Sequence, residues 1–442
     1  MLFPDFQLRR HGTTVRTEVL GGVTTFLAMA YIIVVNPAIL SFAGLPAGAS
    51  TVATIVVAAF GSLLMGLYAN RPIAVAPYMG ENAFIAFGLA ALGVTWQQRL
   101  GAVFVSGVVF LILTFAGLRT WLANSISPSL KYSFAAGIGL FLAFIGLTET
   151  GIVARADAVP VKIGNLRSLP VLLAIGGFIL IMVLLQRRIR GAILIGIVST
   201  AILAITLGLS GAPAPSPAHF FALPFTGPYS LTPIAFHLDI AGVLRVSFLP
   251  ILLTLVLMSF LDTLGTLIGV GAVGGMLDEK GNFPQIERPM TVDAIACIAS
   301  GLLGTSTSDA YIESATGIRE GARTGLAAVT TALLFALSLF FVPLIEPLQQ
   351  LRCAYGPALI AVGVLMLDSV RRIDFNDLTE LVPAFVTIVM MVFTYNIANG
   401  LTAGLLLYPV MKLLTGRHRE LGPGSIVLAV LCLIYYVFGL PH

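Results

Sequence analysis

The chain has 442 residues, of which 58% are hydrophobic and only 10% are charged. Soluble domains carry about 25% charged residues, so the composition excludes an ordinary soluble protein and indicates one embedded in a lipid bilayer. The net charge is +4, but the basic residues form short clusters between apolar runs and no continuous basic stripe. We therefore expect no nucleic-acid partner.

Cysteine, histidine and glycine patterns exclude most cofactor and enzyme chemistry. Cys297, Cys353 and Cys432 are far apart and lie in or beside apolar stretches, which supports neither a disulfide framework nor a metal site. The five histidines fall in predicted loops or termini, and no zinc or nucleophile-elbow motif is present. The G-x-G-x-x-G pattern at 269–274 ends an apolar run and indicates close helix packing. We expect no cofactor, no metal and no enzyme activity.

Stretches free of charged residues locate the membrane spans, because a spanning helix needs about 20 mainly apolar residues. In chain order, the predicted spans are two within Val19–Asn70, an interrupted one near 72–92, then Leu100–Leu118, Tyr132–Thr148, Ser168–Gln186, Ala192–Leu209, Val246–Gly275, Ala294–Gly304, an interrupted one near 305–318, Thr324–Ile345, Gly356–Leu367, and two between Leu381 and Met411. The total is about fourteen. A last apolar stretch, Ser425–Leu440, is either another crossing or an interfacial helix.

The distribution of basic residues predicts the orientation. The apolar run after Arg16 is too long for a signal peptide and lacks a small-residue cleavage site, so we expect it to be retained. With the N-terminus in the cytoplasm and fourteen crossings, 18 of the 24 basic residues lie inside. The six outside are Arg99, Arg155, Lys162, Arg167, Arg245 and Arg352. The loop Ser210–Leu244, which has no Lys or Arg, also falls outside, as the positive-inside rule expects. A cell-membrane location follows.

Two short motifs recur at nearly one spacing. The tetrapeptide TFLA at 25–28 recurs as SFLD at 259–262, an offset of 234, and ENA at 81–83 recurs as ESA at 313–315, an offset of 232. Both offsets are about half the chain length, which indicates a duplication. Seven spans in each half place the second copy upside down relative to the first.

Helix formation is predicted to fail at one place in each half. Segment 71–78 has two prolines, and segment 305–311 consists mainly of Ser, Thr and Asp, residues that favour turns and caps over helix. Both segments are expected to be extended and to lead into short helices. Because extended backbone inside a membrane must find hydrogen-bond partners, we predict that the two pair as short antiparallel strands. Interrupted segments at matching places point to a transporter's substrate site; loops that surface early are the alternative.

Two acids are the leading candidates for substrate contact. Asp262 lies deep in the eighth predicted span, where an acid costs at least about 2.5–3.5 kcal/mol. Its structural alternative is a carboxylate that accepts from hydroxyls or free amides. Glu313 falls in the first turn of the second short helix, where the alternative is an acid that interacts with the helix dipole.

Further polar residues near the broken segments have more open roles. Glu81 and Asn82 occupy the first turn of the first short helix, and Glu81 either binds a ligand or pairs with Arg71 or another basic residue. Asp293 is either functional or the N-cap of a later span. Asp309 is interpreted as a supporting polar group.

The substrate class follows from this set of donors and acceptors. Two acids repel an anion, whereas a neutral planar heterocycle with N–H edges can give a carboxylate two parallel hydrogen bonds. Backbone N–H groups around Ala83 and Ile312 add donors at the helix starts. Nearby aromatic residues are candidates for stacking on the ring; they are Phe26, Tyr78, Phe84, Phe260 and Tyr311.

An ordered set of motifs resembles a known family. The motifs are TFLAMAY at 25–31 with Asn36-Pro37, MGENA at 79–83, SFLDTLGT at 259–266, GTST at 304–307, YIESA at 311–315, EGARTG at 320–325 and FTYNIANG at 393–400. They resemble the AzgA-like guanine/hypoxanthine permeases of the nucleobase/ascorbate transporter superfamily. One departure is Glu81, where the family more often has Leu; the extra acid bears on purine choice and proton coupling.

This resemblance implies an all-α polytopic protein with about fourteen spans in two inverted repeats of seven, and with short antiparallel strands in spans 3 and 10. A core domain, 1–117 with 245–346, is expected to move against a gate domain, 118–244 with 347–442. Proton-coupled uptake of purines is the implied activity, and homodimer formation is left open. The family's substrate residues map onto Asp262, Glu313, Asn82, Ala83 and Ile312, and its ninth-span acid onto Asp293.

The resulting prediction is purine nucleobase uptake by alternating access. Candidate substrate contacts are Asp262, Glu313, Asn82, Ala83, Ile312, Glu81, Tyr311, Phe26 and Thr266. Candidate proton carriers are Asp262 first, then Glu81 and Glu313, with Asp293 behind them. The alternatives are an anion or other small-solute carrier on the same fold, and a membrane-embedded enzyme or sensor, for which the sequence offers no chemistry.

Overall fold

A computed structural model of the protein describes residues 6–89, 92–117, 125–156, 159–209, 220–278 and 283–438. Nine helices in this part of the chain are long and apolar enough to cross a bilayer. The protein is a mostly helical, multi-pass integral membrane protein, as its composition predicts.

The described residues of the first half form seven segments, which follow the order of the predicted spans. Its helices are α1 (Val15–Met29), α2 (Ile32–Leu40), α3 (Ala47–Leu64), α4 (Met79–Ala83), α5 (Trp96–Phe115), α6 (Pro128–Glu149), α7 (Leu169–Gln186) and α8 (Ala192–Thr206). Strand β1 (Val75–Pro77) precedes α4, and a hairpin of β2 (Val153–Arg155) and β3 (Val161–Ile163) follows α6. Helices α1 and α2 together form the first segment, and β1 with α4 forms the third.

The second half repeats this arrangement. Its elements are α9 (Ile240–Val243), α10 (Leu249–Gly274), α11 (Glu287–Leu303), β4 (Ser308–Ala310), α12 (Ser314–Arg319), α13 (Gly325–Ser338), α14 (Val342–Gln350), α15 (Arg352–Met366), α16 (Leu378–Phe393), α17 (Ile397–Leu414) and α18 (Pro423–Phe438). Segments eight to fourteen are α10, α11, β4 with α12, α13 with α14, α15, α16 and α17. The last apolar stretch forms α18.

Helix contacts follow the inverted repeat. The contact of α1 with α13 corresponds to the contact of α10 with α5 in the other half. In the same way, the contact of α3 with α13 corresponds to that of α11 with α5. The contact of α1 with α12 corresponds to that of α10 with α4. Further out, α6 packs on α16 as α15 packs on α7. Each contact has its counterpart when the halves are exchanged, which agrees with the duplication predicted from the two recurring motifs.

The two broken segments meet at the centre of the fold. Strands β1 and β4 pair antiparallel with Val75 opposite Ala310 and Pro77 opposite Ser308. The ladder continues beyond the strands, because Tyr78 N–H donates to the Thr307 carbonyl at 2.9 Å and Tyr311 N–H to the Ala74 carbonyl at 2.9 Å. The predicted strand pair is confirmed, and a short helix follows each strand.

Several predicted spans differ in their bounds. Helix α11 begins at Glu287 and not at Ala294, since the charge-free window excluded Asp293, which the fold accommodates inside a helix. The window Thr324–Ile345 is divided between α13 and α14 by a short 3-10 turn. The β2–β3 hairpin has no counterpart in the sequence prediction. Part of the loop Ser210–Leu244, residues 210–219, lies outside the described residues.

Candidate functional site

Hydrogen bonds from neighbouring helices satisfy the outer edges of the strand pair. On the β1 side, Val75 N–H donates to Ser62 Oγ of α3 at 3.0 Å, and the same hydroxyl donates back to the Val75 carbonyl at 3.1 Å. On the β4 side, Ala310 N–H donates to Asp293 Oδ2 at 3.0 Å. Extended backbone is stable at membrane depth because these side chains replace water.

Glu313 is oriented by a tyrosine from the first segment. Its Oε1 accepts from the Tyr31 hydroxyl at 2.8 Å, and Tyr31 lies at the break between α1 and α2. Glu313 is the N-cap residue of α12, yet its side chain makes no capping hydrogen bond. The Tyr31 bond therefore holds the carboxylate in a defined position.

Asp262 lies in the middle of α10, half-buried. Its Oδ2 is buried and has no hydrogen-bond partner in the described part of the chain. The charges of Asp262 and Glu313 both act on the Tyr78 hydroxyl. Both acids thus lie near Tyr78, beside the strand pair.

Asn82 is held by the backbone of the first segment. Its side chain is fully buried, and Nδ2 donates to the Asn36 carbonyl at 3.3 Å, whereas Oδ1 has no partner among the described residues. The Asn36 side chain donates to Thr54 and Thr305 and accepts from Ser306. This network fixes Asn82 relative to the segment that leads into β4.

In the described part of the chain, Glu81 pairs with no basic residue. It is fully buried, and the Ser259 hydroxyl lies 3.0 Å from Oε1 and 3.1 Å from Oε2. Arg71 instead donates to the Pro284 carbonyl at 2.8 Å. The alternative of an ion pair with Arg71 is wrong, and the Glu81 side chain instead contacts Ser259 of α10.

Asp293 lies inside α11 and is not its N-cap, a position that Ile286 occupies. Its Oδ2 accepts from the Thr263 hydroxyl at 2.7 Å as well as from the β4 backbone. Thr263 also lies 3.3 Å from Asp309 Oδ1. Asp293 therefore anchors β4 to α10 and α11, and Asp309 extends the same polar network.

The two predicted backbone donors, the N–H groups around Ala83 and Ile312, differ in their geometry. Helix α4 starts at Met79, so the unpaired N–H groups of its first turn are those of Met79, Gly80 and Glu81, and Ala83 lies beyond them. Ile312 lies two residues before α12, and its N–H has no partner in the described residues. We therefore expect the donors of the first half earlier in α4 than Ala83.

Most of the candidate aromatic residues are packed. Tyr311 is buried and its hydroxyl donates to the Pro77 carbonyl at 2.6 Å, while its ring meets Tyr78 edge-on at 5.9 Å. Phe26 packs edge-on against Phe335 at 5.1 Å. Phe84 and Phe260 are fully buried. Thr266 is buried on α10, four residues after Asp262 and so on the same helix face.

Sequence reasoning missed two arginines that support the short helices. Arg99 is buried, and its guanidinium donates to the carbonyls of Ile85, Ala86 and Val94 at 3.1, 3.2 and 2.9 Å. In the second half, Arg323 donates to the Ile318 and Ala322 carbonyls at 2.6 and 2.7 Å. Both were treated only as loop charges, although a basic residue just after a broken helix is a signal for such a cap.

The site is rich in acids and poor in cations. Asp262, Glu313 and Tyr78 interact with other acids and tyrosines. In the described residues, no group of three or more His, Cys, Asp or Glu side chains is arranged to hold a metal ion. Such a site offers hydrogen-bond acceptors to a ligand that carries N–H donors.

The fold and the broken-helix site define a membrane permease. Residues 16–402 match the model of the Permease family, Xan_ur_permease, and the chain belongs to this family. The adenine permease AdeP of Escherichia coli is 43% identical over 439 residues, covering 99% of this chain and 96% of that protein. The guanine/hypoxanthine permease PbuO of Bacillus subtilis is 37% identical, covering 97% and 99%. The sequence resemblance is confirmed.

A solved structure shares the fold. The transmembrane domain of the cyanobacterial bicarbonate transporter BicA superposes with a TM-score of 0.63 at 17% identity, covering 88% of this chain and 97% of that one. At this identity the likeness concerns the fold alone.

Proposed function

We propose that the protein takes up purine nucleobases together with protons. The observation that carries this proposal is the arrangement of Asp262 and Glu313, which both lie near Tyr78, beside the β1–β4 pair, and act on its hydroxyl. Relatives that are 43% and 37% identical are permeases for adenine and for guanine/hypoxanthine. A purine offers the N–H edges that such acceptors bind.

Recognition is assigned mainly to Glu313. A carboxylate accepts two parallel N–H bonds from one edge of a ring, and the Tyr31 hydroxyl at 2.8 Å holds Glu313 in place for them. Asp262 Oδ2 and Asn82 Oδ1 are further acceptors without a protein partner among the described residues. The Ile312 N–H is a donor for a ring nitrogen. Together these groups form hydrogen bonds with the edge of a flat, neutral molecule.

The purine preference is open to direct comparison. Adenine presents an exocyclic amine and a ring N–H, guanine presents two donors on one edge, and hypoxanthine presents fewer donors there. The higher identity to the adenine permease places adenine first among the bases to be tested. Guanine, hypoxanthine and xanthine complete the panel.

Proton coupling is assigned to Asp262. This acid lies at membrane depth with an unpartnered oxygen, and a proton there removes the cost of a buried charge when substrate binds. Residues 1–117 and 245–346 form the core domain of the proposed mechanism, and 118–244 with 347–442 form the gate. Movement of one against the other exposes the site to each side in turn.

Orientation and assembly complete the proposal. The excess of basic residues on one side of the predicted spans supports a cytoplasmic N-terminus in the cell membrane. A homodimer through the gate domain is compatible with this arrangement, and cross-linking of the purified protein tests it.

An anion carrier is the second candidate, since the bicarbonate transporter has the same fold. Anion binding requires a cation or unopposed helix N-termini at the site. Here Asp262 and Glu313 border the region where the helices start, and their described neighbours include no basic side chain. This charge pattern favours the purine.

Ligand binding to the purified protein tests the function. Adenine, guanine, hypoxanthine and xanthine are added separately, with bicarbonate and uracil as controls, and the melting temperature is measured. A ligand at 100 times its Kd stabilises the protein by about 2.7 kcal/mol, so a purine should raise the melting temperature while bicarbonate should not. Stabilisation by bicarbonate and by no purine would contradict the proposal.

A further inference from the structure

Two buried carboxyl groups from opposite halves of the chain meet beside Asp262. Glu81 lies on α4 and Asp309 on β4, and both side chains are fully buried. Their carboxyl groups interact with each other, and the hydroxyls that contact them belong to Ser259 and Thr263, which lie one turn apart on the same face of α10. Ser259 donates to Glu81 and Thr263 to Asp309, while Asp309 Oδ2 has no donor among the described residues.

Among the residues that the structure describes, those around this pair supply no positive charge. The other titratable groups that face it are Asp262 on α10, Asp293 and Cys297 on α11, and Tyr78 and Tyr311 next to the strands. All are acids or neutral groups. Two adjacent carboxyl groups without a cation do not both ionise, because each negative charge opposes the other. One hydroxyl donor for each acid does not offset two buried charges.

The pair also joins parts of the site that have no covalent connection nearby. Glu81 belongs to the helix that follows β1, and Asp309 faces Ala76 in the strand register. A hydrogen bond between the two carboxyl groups therefore connects the first short helix to the second strand. This connection exists only while one of the two groups carries a proton to donate.

We propose that Glu81 and Asp309 share one proton, and that this proton holds α4 against β4 in the arrangement that binds substrate. Loss of the proton leaves two adjacent negative charges, which separate the two elements. The shared proton follows from the geometry of the pair alone, whereas its effect on binding rests on the proposed purine transport.

Infrared spectroscopy of the purified protein at neutral pH tests the shared proton. A protonated carboxyl group has a C=O stretching band distinct from that of a carboxylate. In Glu81→Gln and in Asp309→Asn, the intensity of this band should decrease by the contribution of one protonated carboxyl group. The introduced amide donates the hydrogen bond, so the remaining carboxyl group is ionised. The control Asp368→Asn removes an acid that is 67% exposed and ionised at neutral pH, and it should retain that intensity. Melting temperatures of the variants establish that they are folded.

Unchanged band intensity in both Glu81→Gln and Asp309→Asn would overturn the proposal, as would an equal loss in Asp368→Asn. If one variant does not fold, the other supplies the comparison, since each replaces one member of the pair by an amide that preserves the hydrogen bond.

Purine affinity as a function of pH tests the link to substrate binding. In the wild type, affinity should fall at alkaline pH by up to about tenfold for each pH unit once the binding-competent form becomes the minor one. Because Asp262 also takes up a proton in the proposed mechanism, the decisive comparison is between Asp262→Asn and the double variant Asp262→Asn with Glu81→Gln. The fall should remain in Asp262→Asn. It should be absent in the double variant, because a hydrogen bond from the amide to Asp309 does not depend on pH. The same fall in both variants would overturn the proposed role in binding. If no purine binds the wild type at any pH, the proposal of purine transport is contradicted. The infrared comparison alone then tests whether Glu81 and Asp309 share a proton.

Discussion

Arg99 and Arg323 occupy matching places in the two halves, and each caps the carbonyl end of a short helix at the centre of the protein. Arg99 holds the end of the segment that contains α4, and Arg323 holds the end of α12. A cation at a helix C-terminus interacts favourably with the helix dipole. Both short helices are thereby fixed at their outer ends, while their N-termini point toward the strand pair.

Replacing Arg99 should destabilise the protein. In Arg99→Ala three buried carbonyls lose their donor, and hydrogen bonds to a charged group contribute about 1.5–3 kcal/mol each before relaxation. We expect a total loss of about 3 kcal/mol, measured as a lower melting temperature of the purified protein. The control is Arg371→Ala, whose exposed side chain forms only an i,i+3 ion pair with Asp368; that change should have little effect. Equal melting temperatures for the two variants would contradict the capping role.

A close backbone crossing makes Gly325 intolerant of a side chain. A Cβ at Gly325 would overlap the carbonyl oxygen of Gly66, whereas a Cβ at Gly176 in α7 meets nothing within 4 Å. We expect Gly325→Ala to lower the melting temperature or prevent folding, because the main chains of α13 and the end of the second segment must separate. Gly176→Ala should be neutral or stabilising by up to about 1 kcal/mol through helix propensity. A lower melting temperature for Gly176→Ala than for Gly325→Ala would show that the two main chains do not cross closely at Gly325.

An ionic network at the start of α16 predicts sensitivity to acid. Hydrogen bonds from Thr379, at 2.7 and 2.9 Å, and from Arg417, at 2.6 Å, lower the pKa of Asp377. The pKa of Glu420 is lowered by Arg417 and then by Lys412. A lowered pKa in the folded state contributes stability above the unfolded value of about 4, and this stability is lost as pH falls through the folded pKa.

The melting temperature should therefore decrease between about pH 5 and pH 3 in the wild type, and less steeply in Asp377→Asn, which lacks the ionisable group. Asp368→Asn is the control, since Asp368 is 67% exposed in its ion pair. A slope in Asp377→Asn equal to that of the wild type would remove the network as the cause.

Much of the fold was predictable from the sequence because the membrane imposes strong rules. Charge-free windows located the spans, and the prolines and Ser-Thr run located the strand pair, since neither segment can continue as a helix. The windows failed at α11, where Asp293 lies inside a helix and its Oδ2 accepts hydrogen bonds from Thr263 and the Ala310 N–H. A rule that ends a span at a charge cannot anticipate partners from distant segments.

The site was predictable in its residue types but not in its partners. Asp262 was a candidate as an acid deep in a predicted span, and Glu313 and Asn82 were candidates as polar residues of the short helices that follow the breaks. The bond from Tyr31 to Glu313 joins residues far apart in the chain, at the break between α1 and α2, and nothing in the local sequence indicates it. Contact between Glu81 and Asp309 depends on the register of β1 against β4, which the sequence predicted as a pairing but not in its alignment.

Asp262→Asn should separate exchange from accumulation. If Asp262 carries the coupling proton, a permanently neutral side chain still permits substrate binding and carrier movement but no longer links them to the proton gradient. In proteoliposomes the variant should exchange labelled purine across the membrane, yet should not accumulate it when a pH gradient is imposed. Accumulation at the wild-type level would assign the proton to another group.

Binding of purines to the wild type, Glu313→Gln and Tyr31→Phe tests the central claim most directly. Glutamine offers one acceptor where glutamate offers two, so the Glu313 variant should lose at least about tenfold in affinity, equivalent to 1.4 kcal/mol. Tyr31→Phe keeps the carboxylate and removes only its orienting donor, so its loss should be smaller. Calorimetric titration with adenine and guanine provides both values. Wild-type affinity in Glu313→Gln would contradict the assignment of this carboxylate to the purine edge.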